Sequence, residues 1–297
     1  MYFHGNHRKK SYFEGWYLKH QCGNETVAFI PAFHIDKEGN QSASLQIITK
    51  DTAHRVDFPI MDFYAEEERF KVKIGKSWFS EHGAHLHIKD RHISVYGDLF
   101  YGPLDPPEED IMGPFRFLPH MQCVHGILSR YHTVRGSLRI NGVTICFQSG
   151  WGYIETDRGS SFPSEYVWTQ CNHFKKEKKC AVMVSSANIP VGKAHFTGCI
   201  CDIFYQGQEY RLATYHGARP ALEGRSLRLN QGPYSLLVQP LQEAPQALAS
   251  PVSGTMSGTI HESASCVVRY VFSKGEETVF DLTSPHAGFE WVQKTQA

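Results

Sequence analysis

Residues 150–174 read GWGYIETDRGSSFPSEYVWTQCNHF, and this stretch decides the fold. Every second residue from Trp151 to Asp157, and again from Tyr166 to Asn172, carries an aromatic, carboxylate or amide side chain. Because side chains two positions apart on a β-strand share one face, the stretch predicts two strands with one such face each. A turn containing Gly, Ser, Phe and Pro joins them. We expect both faces to line one apolar pocket that holds a few polar groups.

A second stretch, residues 12–19 (YFEGWYLK), also surrounds one carboxylate with aromatic side chains. On a strand, Glu14 and Trp16 would share one face and Tyr17 would lie on the other. Glu14 is therefore a candidate buried carboxylate of the same pocket. The alternative is a structural ion pair between Glu14 and an arginine.

The composition restricts the class of protein. The 297 residues suffice for two domains of roughly 150 residues each. The net charge is formally zero and only 20% of the residues are charged, which argues against nucleic acid as a partner. The aromatic fraction of 13% favours strands and apolar pockets. The chain start has no apolar stretch of the kind found in export signals, so the eight cysteines are expected to be free thiols in the cytoplasm.

Short alternating segments separated by turn residues recur along the whole chain, as in residues 27–33 and 42–49, and predict an all-β fold with few short helices. Residues 102–119 hold five prolines and are expected to form a long loop. Residues 239–258 are expected to form an irregular excursion. We predict two β-barrel or sandwich domains, residues 1–174 with the motif stretches and residues 175–297.

The two motif stretches resemble the tocopherol cyclase family. The matching pieces are FEGWY at residues 13–17, GWGYIETD at residues 150–157, SFP at residues 161–163 and WTQCNHF at residues 168–174, with residues 112–129 also similar. The resemblance implies a two-domain lipocalin-like architecture, related to carotenoid hydratases. It also implies closure of a chromanol ring on a prenylated quinol.

Proton-initiated ring closure needs an acid in an apolar site, aromatic faces that shield a cation, and groups that orient the head group. The candidate acids are Glu14, Glu155 and Asp157. The candidate substrate-binding residues are Trp16, Tyr17, His34, His125, Trp151, Tyr153, Trp168, Gln170 and Asn172. Two alternatives stay open: a non-catalytic carrier or sensor of a hydrophobic ligand, and an isoprenoid hydratase or isomerase.

No cofactor is expected, since the sequence has neither a phosphate-binding loop nor a dinucleotide fingerprint. His85 and His87 could share one strand face, but the spacing specifies no third ligand, so no metal site is predicted. The expected partner is a hydrophobic small molecule, a prenyl quinol or another isoprenoid. The expected location is the cytoplasm, with at most peripheral membrane contact.

Overall fold

The computed structural model describes residues 1–118, 121–175, 177, 179–191 and 194–293. The first of its two antiparallel sheets contains eleven strands. They are β1 (Tyr12–Cys22), β2 (Glu25–Ile35), β3 (Gln41–Thr49), β4 (Ala53–Phe58), β5 (Phe63–Ala65), β6 (Lys71–Ile74), β7 (Ser77–Ser80), β8 (Gly83–Lys89), β9 (Ser94–Tyr101), β10 (Cys123–Ile140) and β11 (Val143–Gly159). The spatial order is β4-β3-β2-β1-β11-β10-β9-β8-β7-β6-β5.

Local sequence sets the hairpins of this sheet. Asn141 and Gly142 both adopt positive φ, at 48° and 86°, and reverse the chain between β10 and β11. Two central residues with positive φ match the right-handed twist of the flanking strands. The alternating segments of residues 27–33 and 42–49 form another hairpin, in which β2 and β3 pair from Val27–Thr49 to Ile35–Gln41.

One apolar core fills the inner face of the first sheet. Phe33 of β2 stacks on Phe63 of β5 with ring centroids 5.4 Å apart, and Phe29 of β2 lies 5.9 Å from Phe79 of β7. These strands are far apart in the order of the sheet, so the sheet curls around its own core in the manner of a barrel. Phe3 also lies in this core, which fixes the start of the chain.

The second sheet contains the remaining ten strands. They are β12 (Tyr166–Cys171), β13 (Cys180–Val191), β14 (Ala194–Tyr205), β15 (Gln208–Ala213), β16 (Arg219–Glu223), β17 (Ser226–Gln231), β18 (Tyr234–Gln242), β19 (Gln246–Val252), β20 (Thr255–Lys274) and β21 (Glu277–Val292). The order is β15-β14-β13-β12-β21-β20-β18-β17-β16, and β19 pairs with β20. A separate apolar core that includes Tyr270, Phe272 and Phe289 packs on one face of this sheet.

The chain divides into two compact units that are discontinuous in sequence. The first comprises Met1–Pro106, Gln122–Phe162 and Ala247–Thr259; the second comprises Pro107–Met121, Pro163–Gln246 and Ile260–Ala297. A single division between residues 174 and 175, as expected from composition, remains a proposal.

The predicted fold class is confirmed, because both sheets are β-structure and the helices of the described part of the chain are four short 3₁₀ helices: Gly5–His7, Ile60–Asp62, Gly113–Phe117 and Thr214–His216. The third of these lies in the predicted proline-rich loop. The expectation of an irregular excursion over residues 239–258 is wrong in part, because β19 forms there and pairs with β20. No helix among the described residues is long and apolar enough to cross a membrane.

Candidate active site in the first unit

A histidine lies between two carboxylates on the outer face of the first sheet. The register of β10 and β11 places His125 directly opposite Asp157, and Ile127 opposite Glu155. His125 Nδ1 lies 2.7 Å from Asp157 Oδ1, and His125 Nε2 lies 3.2 Å from Glu155 Oε2. The first contact is a hydrogen bond; the second has ion-pair distance without hydrogen-bond geometry. The imidazole therefore couples the two acids electrostatically.

Two further side chains complete this group, which we call the acid cluster (Cys123, His125, Tyr153, Glu155 and Asp157). The Tyr153 hydroxyl donates a 2.5 Å hydrogen bond to Glu155 Oε2. The Cys123 thiol donates a weak hydrogen bond, at 3.4 Å, to Asp157 Oδ1. The alternation of β11 brings Tyr153, Glu155 and Asp157 to one face, as the sequence predicts.

Burial and mutual charge set the protonation of the acid cluster. Glu155 and His125 are 4% and 9% exposed. Burial is the main cause that raises the pKa of Glu155, and the Asp157 charge adds to it while His125 opposes it. Burial alone would lower the pKa of His125, but the charges of Asp157 and Glu155 raise it well above its ordinary value. Burial also raises the pKa of the Cys123 thiol, which therefore stays protonated.

The acid cluster also contains ligand atoms that suit a divalent cation. One ligand atom each from His125, Glu155 and Asp157 lies within 4.8 Å of the other two. One imidazole and two carboxylates form a set that Zn²⁺ or Fe²⁺ accepts. Hydrogen bonds already engage the side chains of His125, Glu155 and Asp157, so a proton and a metal ion would compete for these groups.

Glu14 and Trp16 do not join the acid cluster. Gly15 lies opposite Asp157 in the register of β1 and β11, so Glu14 points to the opposite face, toward the barrel core. There the buried carboxylate accepts 2.8 Å hydrogen bonds from the His4 backbone N–H and the Tyr12 hydroxyl, and His4 Nδ1 lies 2.8 Å from Oε1. Neither partner is an arginine, contrary to the structural alternative considered from sequence.

Tyr17, His34 and Trp151 do share the face of the acid cluster. Tyr17 lies opposite Glu155, and His34 lies opposite Phe13 on that face. Tyr17 and His34 are buried, whereas Trp151 is half-buried and lies 4.8 Å from the ring of Tyr131. Part of the first unit covers this face, because Phe162 packs edge-on against Phe13 and the Gln46 amide exchanges two hydrogen bonds with the Ala249 backbone.

Trp168, Gln170 and Asn172 belong to the second unit. All three are buried, and Val167 and Cys171 on the other face of β12 lie in the second core. The two faces predicted from residues 150–174 therefore belong to different sheets. Next to Trp168, the Tyr166 hydroxyl donates a hydrogen bond to Glu290, a buried carboxylate that the sequence analysis did not select.

Sequence reasoning also missed Cys123 and Lys19. Lys19 is 2% exposed and lies opposite Tyr153, although a single lysine normally indicates surface. Its position in the sequence could have indicated burial. Lys19 follows Tyr17 by two residues and therefore lies on the same face of β1, a strand that is buried on both faces.

Comparison with known proteins agrees with the resemblance seen in the motifs. The model of the tocopherol cyclase-like family matches residues 100–219. That range contains the whole acid cluster and β12, but not Glu14, Trp16, Tyr17 or His34. No curated protein matches the sequence.

Solved structures share the fold at low identity. A Nitrosomonas europaea protein described as a candidate AttH is 12% identical, with a TM-score of 0.52 over 95% of this chain and 93% of that one. CghA crystallised with Sch210972 is 10% identical, with a TM-score of 0.58 over 96% and 89%. Kievitone hydratase from Nectria haematococca is 11% identical, with a TM-score of 0.51 over 96% and 89%. At these identities the likeness shows the fold.

Proposed function

We propose, from the tocopherol cyclase-like match of residues 100–219, that this chain is an enzyme that protonates an alkene of a hydrophobic, isoprenoid-type substrate and lets an oxygen capture the cation. The leading reaction is ring closure of a prenylated quinol to a chromanol. The observation that carries the proposal is the buried Glu155 carboxyl, held by Tyr153 and coupled through His125 to Asp157.

Alkene protonation requires a carboxylic acid in its protonated form. Burial raises the pKa of Glu155, which favours that form and so acts in the direction that this step requires. Tyr153 and His125 both contact Oε2 of Glu155, so we assign the transferable proton to Oε1. Transfer to the alkene forms a new C–H bond and leaves a carboxylate on Glu155 and a tertiary cation on the substrate.

The remaining residues of the face suit the second half of the reaction. The carboxylate left on Glu155 is stabilised by the His125 imidazolium, which Asp157 keeps protonated. The ring of Tyr17 lies opposite Glu155 and can attract the cation through its π-face. When the substrate phenol attacks the cation, its proton returns to Glu155, so the enzyme ends in its starting state and the reaction is an isomerisation.

Hydration of the same alkene is the second candidate, favoured by the shared fold with kievitone hydratase. The first proton transfer is identical. Water replaces the phenol as the nucleophile, and its second proton returns to Glu155. The product is then heavier than the substrate by one water.

The test is incubation of the purified protein with a geranylated hydroquinone in deuterium oxide, followed by mass spectrometry and NMR. Either reaction places one non-exchangeable deuterium on the former alkene carbon. Apart from this deuterium, ring closure gives a product with the mass of the substrate and with one phenol hydroxyl fewer by NMR. Hydration gives a product that is heavier by one water. Glu155→Gln should lower the rate by a factor of about 10²–10⁴, the usual contribution of a general acid. Glu25→Gln, at an exposed strand end, is the matched control and should retain wild-type activity.

A carrier gives a different result. Binding of the probe without any product, and with equal affinity in Glu155→Gln, would contradict the enzyme proposal and support a non-catalytic carrier.

A further inference from the structure

A row of small side chains runs across the first sheet to the acid cluster. In the strand register, Ser44 lies opposite Ala32, Ala32 opposite Gly15, and Gly15 opposite Asp157. Residues directly opposite in an antiparallel sheet point to the same face, so the row and the acid cluster share one face. We call Ser44, Ala32 and Gly15 the trough.

Larger side chains border the trough on both sides. Phe13 and His34, which lie opposite each other, border it on one side, and Tyr17 borders it on the other. All three are buried. The buried aromatic rings of Phe13 and Tyr17 on the two sides of the row would match a flat, apolar ligand better than a branched or charged one.

His34 supplies an independent sign of a ligand. Its side chain is buried, and Nε2 lies 3.0 Å from Ser44 Oγ, which turns the imidazole toward the trough. Nδ1 is buried and has no hydrogen-bond partner among the residues that the structure describes. A buried polar atom without a partner is unfavourable, so an occupant that satisfies it gains affinity.

The imidazole is neutral, which restricts the group it can bind. Burial is the main cause that lowers the pKa of His34 to about 3, and the Arg55 charge adds to it. A neutral imidazole can donate or accept one hydrogen bond at Nδ1, depending on its tautomer. It therefore suits a hydroxyl or carbonyl oxygen rather than a carboxylate.

We propose that His34 is a specificity-determining residue that binds a hydroxyl or carbonyl oxygen of the substrate while the reacting alkene lies at Glu155. This inference rests on the proposed function and adds to it a second oxygen on the substrate. His34 lies opposite Phe13 and Asp157 lies opposite Gly15, so the two positions are two strand spacings apart across the sheet and two residues apart along it, about 12 Å in all. A six-membered ring with oxygens at opposite ends, and one hydrogen bond at each end, spans about that distance.

The experiment compares two probes that differ in one oxygen: a geranylated hydroquinone and the geranylated phenol that lacks the second hydroxyl. Their dissociation constants are measured by quenching of tryptophan fluorescence, which needs no turnover. We expect the wild-type protein to prefer the hydroquinone by about tenfold, the effect of one buried hydrogen bond. His34→Leu should reduce the preference to less than about twofold, and His34→Gln, which retains a neutral polar group, should keep part of it. His82→Leu, at an exposed turn, is the matched control and should keep all of it.

A second variant tests the trough. Gly15 has no positive φ, so its backbone accepts other residues. A Cβ there would lie 3.3 Å from Ala32 Cβ, so Gly15→Val fills the row with bulk. It should weaken both probes at least about tenfold. Circular dichroism and thermal melting of each variant establish that it is folded.

The outcomes separate the two proposals. If neither probe binds the wild-type protein, the proposed function fails and this inference fails with it. If both probes bind equally, or if His34→Leu keeps the preference, a buried water on Nδ1 is the better account and only the role of His34 is overturned. Wild-type affinity in Gly15→Val overturns the trough.

Discussion

His125 and Asp157 lie directly opposite each other on β10 and β11, and His125 Nδ1 is 2.7 Å from Asp157 Oδ1. Asp157→Asn should lower the pKa of His125, because it removes the nearest charge that raises it and leaves the opposing effect of burial. Imidazole NMR titration measures the change. The rate should fall about 10²-fold at neutral pH, since an imidazole that is less often protonated stabilises the Glu155 carboxylate less. An unchanged His125 pKa would refute the coupling.

Glu14→Gln should destabilise the protein without the loss of rate expected for Glu155→Gln. The buried Glu14 carboxylate accepts hydrogen bonds from His4 and Tyr12 on the core side of β1. Loss of its charge should reduce the free energy of unfolding by about 2–3 kcal/mol. Urea denaturation measures the stability, and the rate is measured per folded molecule at low temperature. A rate loss as large as that of Glu155→Gln would return Glu14 to the candidate acids.

The first unit should lose stability in acid through histidines that are buried and neutral. Burial is the main cause that lowers the pKa of His20 to about 4, and that of His34 and His132 to about 3, from an ordinary value of 6.5. Between these values the unfolded chain binds protons that the native protein does not, so the stabilisation present above about pH 6.5 is lost as the pH falls. Each group contributes a slope of about 1.4 kcal/mol per pH unit.

His132→Gln is the variant that isolates one of these groups. Urea denaturation from pH 7 to pH 4 measures the free energy of unfolding at each pH. As the pH falls, this free energy should decrease less steeply in the variant than in the wild type, by the slope that one bound proton contributes. If the free energies of unfolding of the wild type and of His132→Gln fall in parallel with pH, then His132 is already protonated in the native state or is not buried.

Gly152→Ala should destabilise the barrel sharply. A Cβ at this position would lie 2.0 Å from His132 Nε2, so the ring or the strand must move. We expect a loss of about 1–3 kcal/mol, measured by thermal melting. Gly126→Ala, whose Cβ would lie 3.2 Å from Thr156, is a milder control. The double variant Gly152→Ala/His132→Ala should regain part of the loss, and no recovery would assign the effect to the backbone instead.

Local patterns predicted what depends on neighbouring residues. The period of two in β11 placed Tyr153, Glu155 and Asp157 on one face, and the local turn Asn141-Gly142 sets the hairpin of β11 with β10. The same period separated Glu14 from Tyr17. These features follow from backbone geometry within one or two strands, so a single sequence contains them.

Such local patterns do not predict which distant strands pair with each other. Nothing local to residues 150–174 indicates that β11 pairs with β1 and β10 while β12 pairs with β13 and β21. The pairing of His125 with Asp157 also depends on β10, whose register with β11 shifts at three places. Bulges of this kind change which side chains meet across a hairpin, and alternation alone does not predict them.

The reciprocal hydrogen bonds between Gln46 and Ala249 join positions 203 residues apart. Because Ala247–Thr259 completes the first unit, that unit cannot reach its final form on the ribosome until most of the chain has been synthesised. The barrel strands of residues 1–159 must wait with part of their outer face exposed, so a fragment that ends near residue 174 should aggregate or recruit chaperones. The second unit, whose pieces are interleaved with the first, must fold in the same late interval.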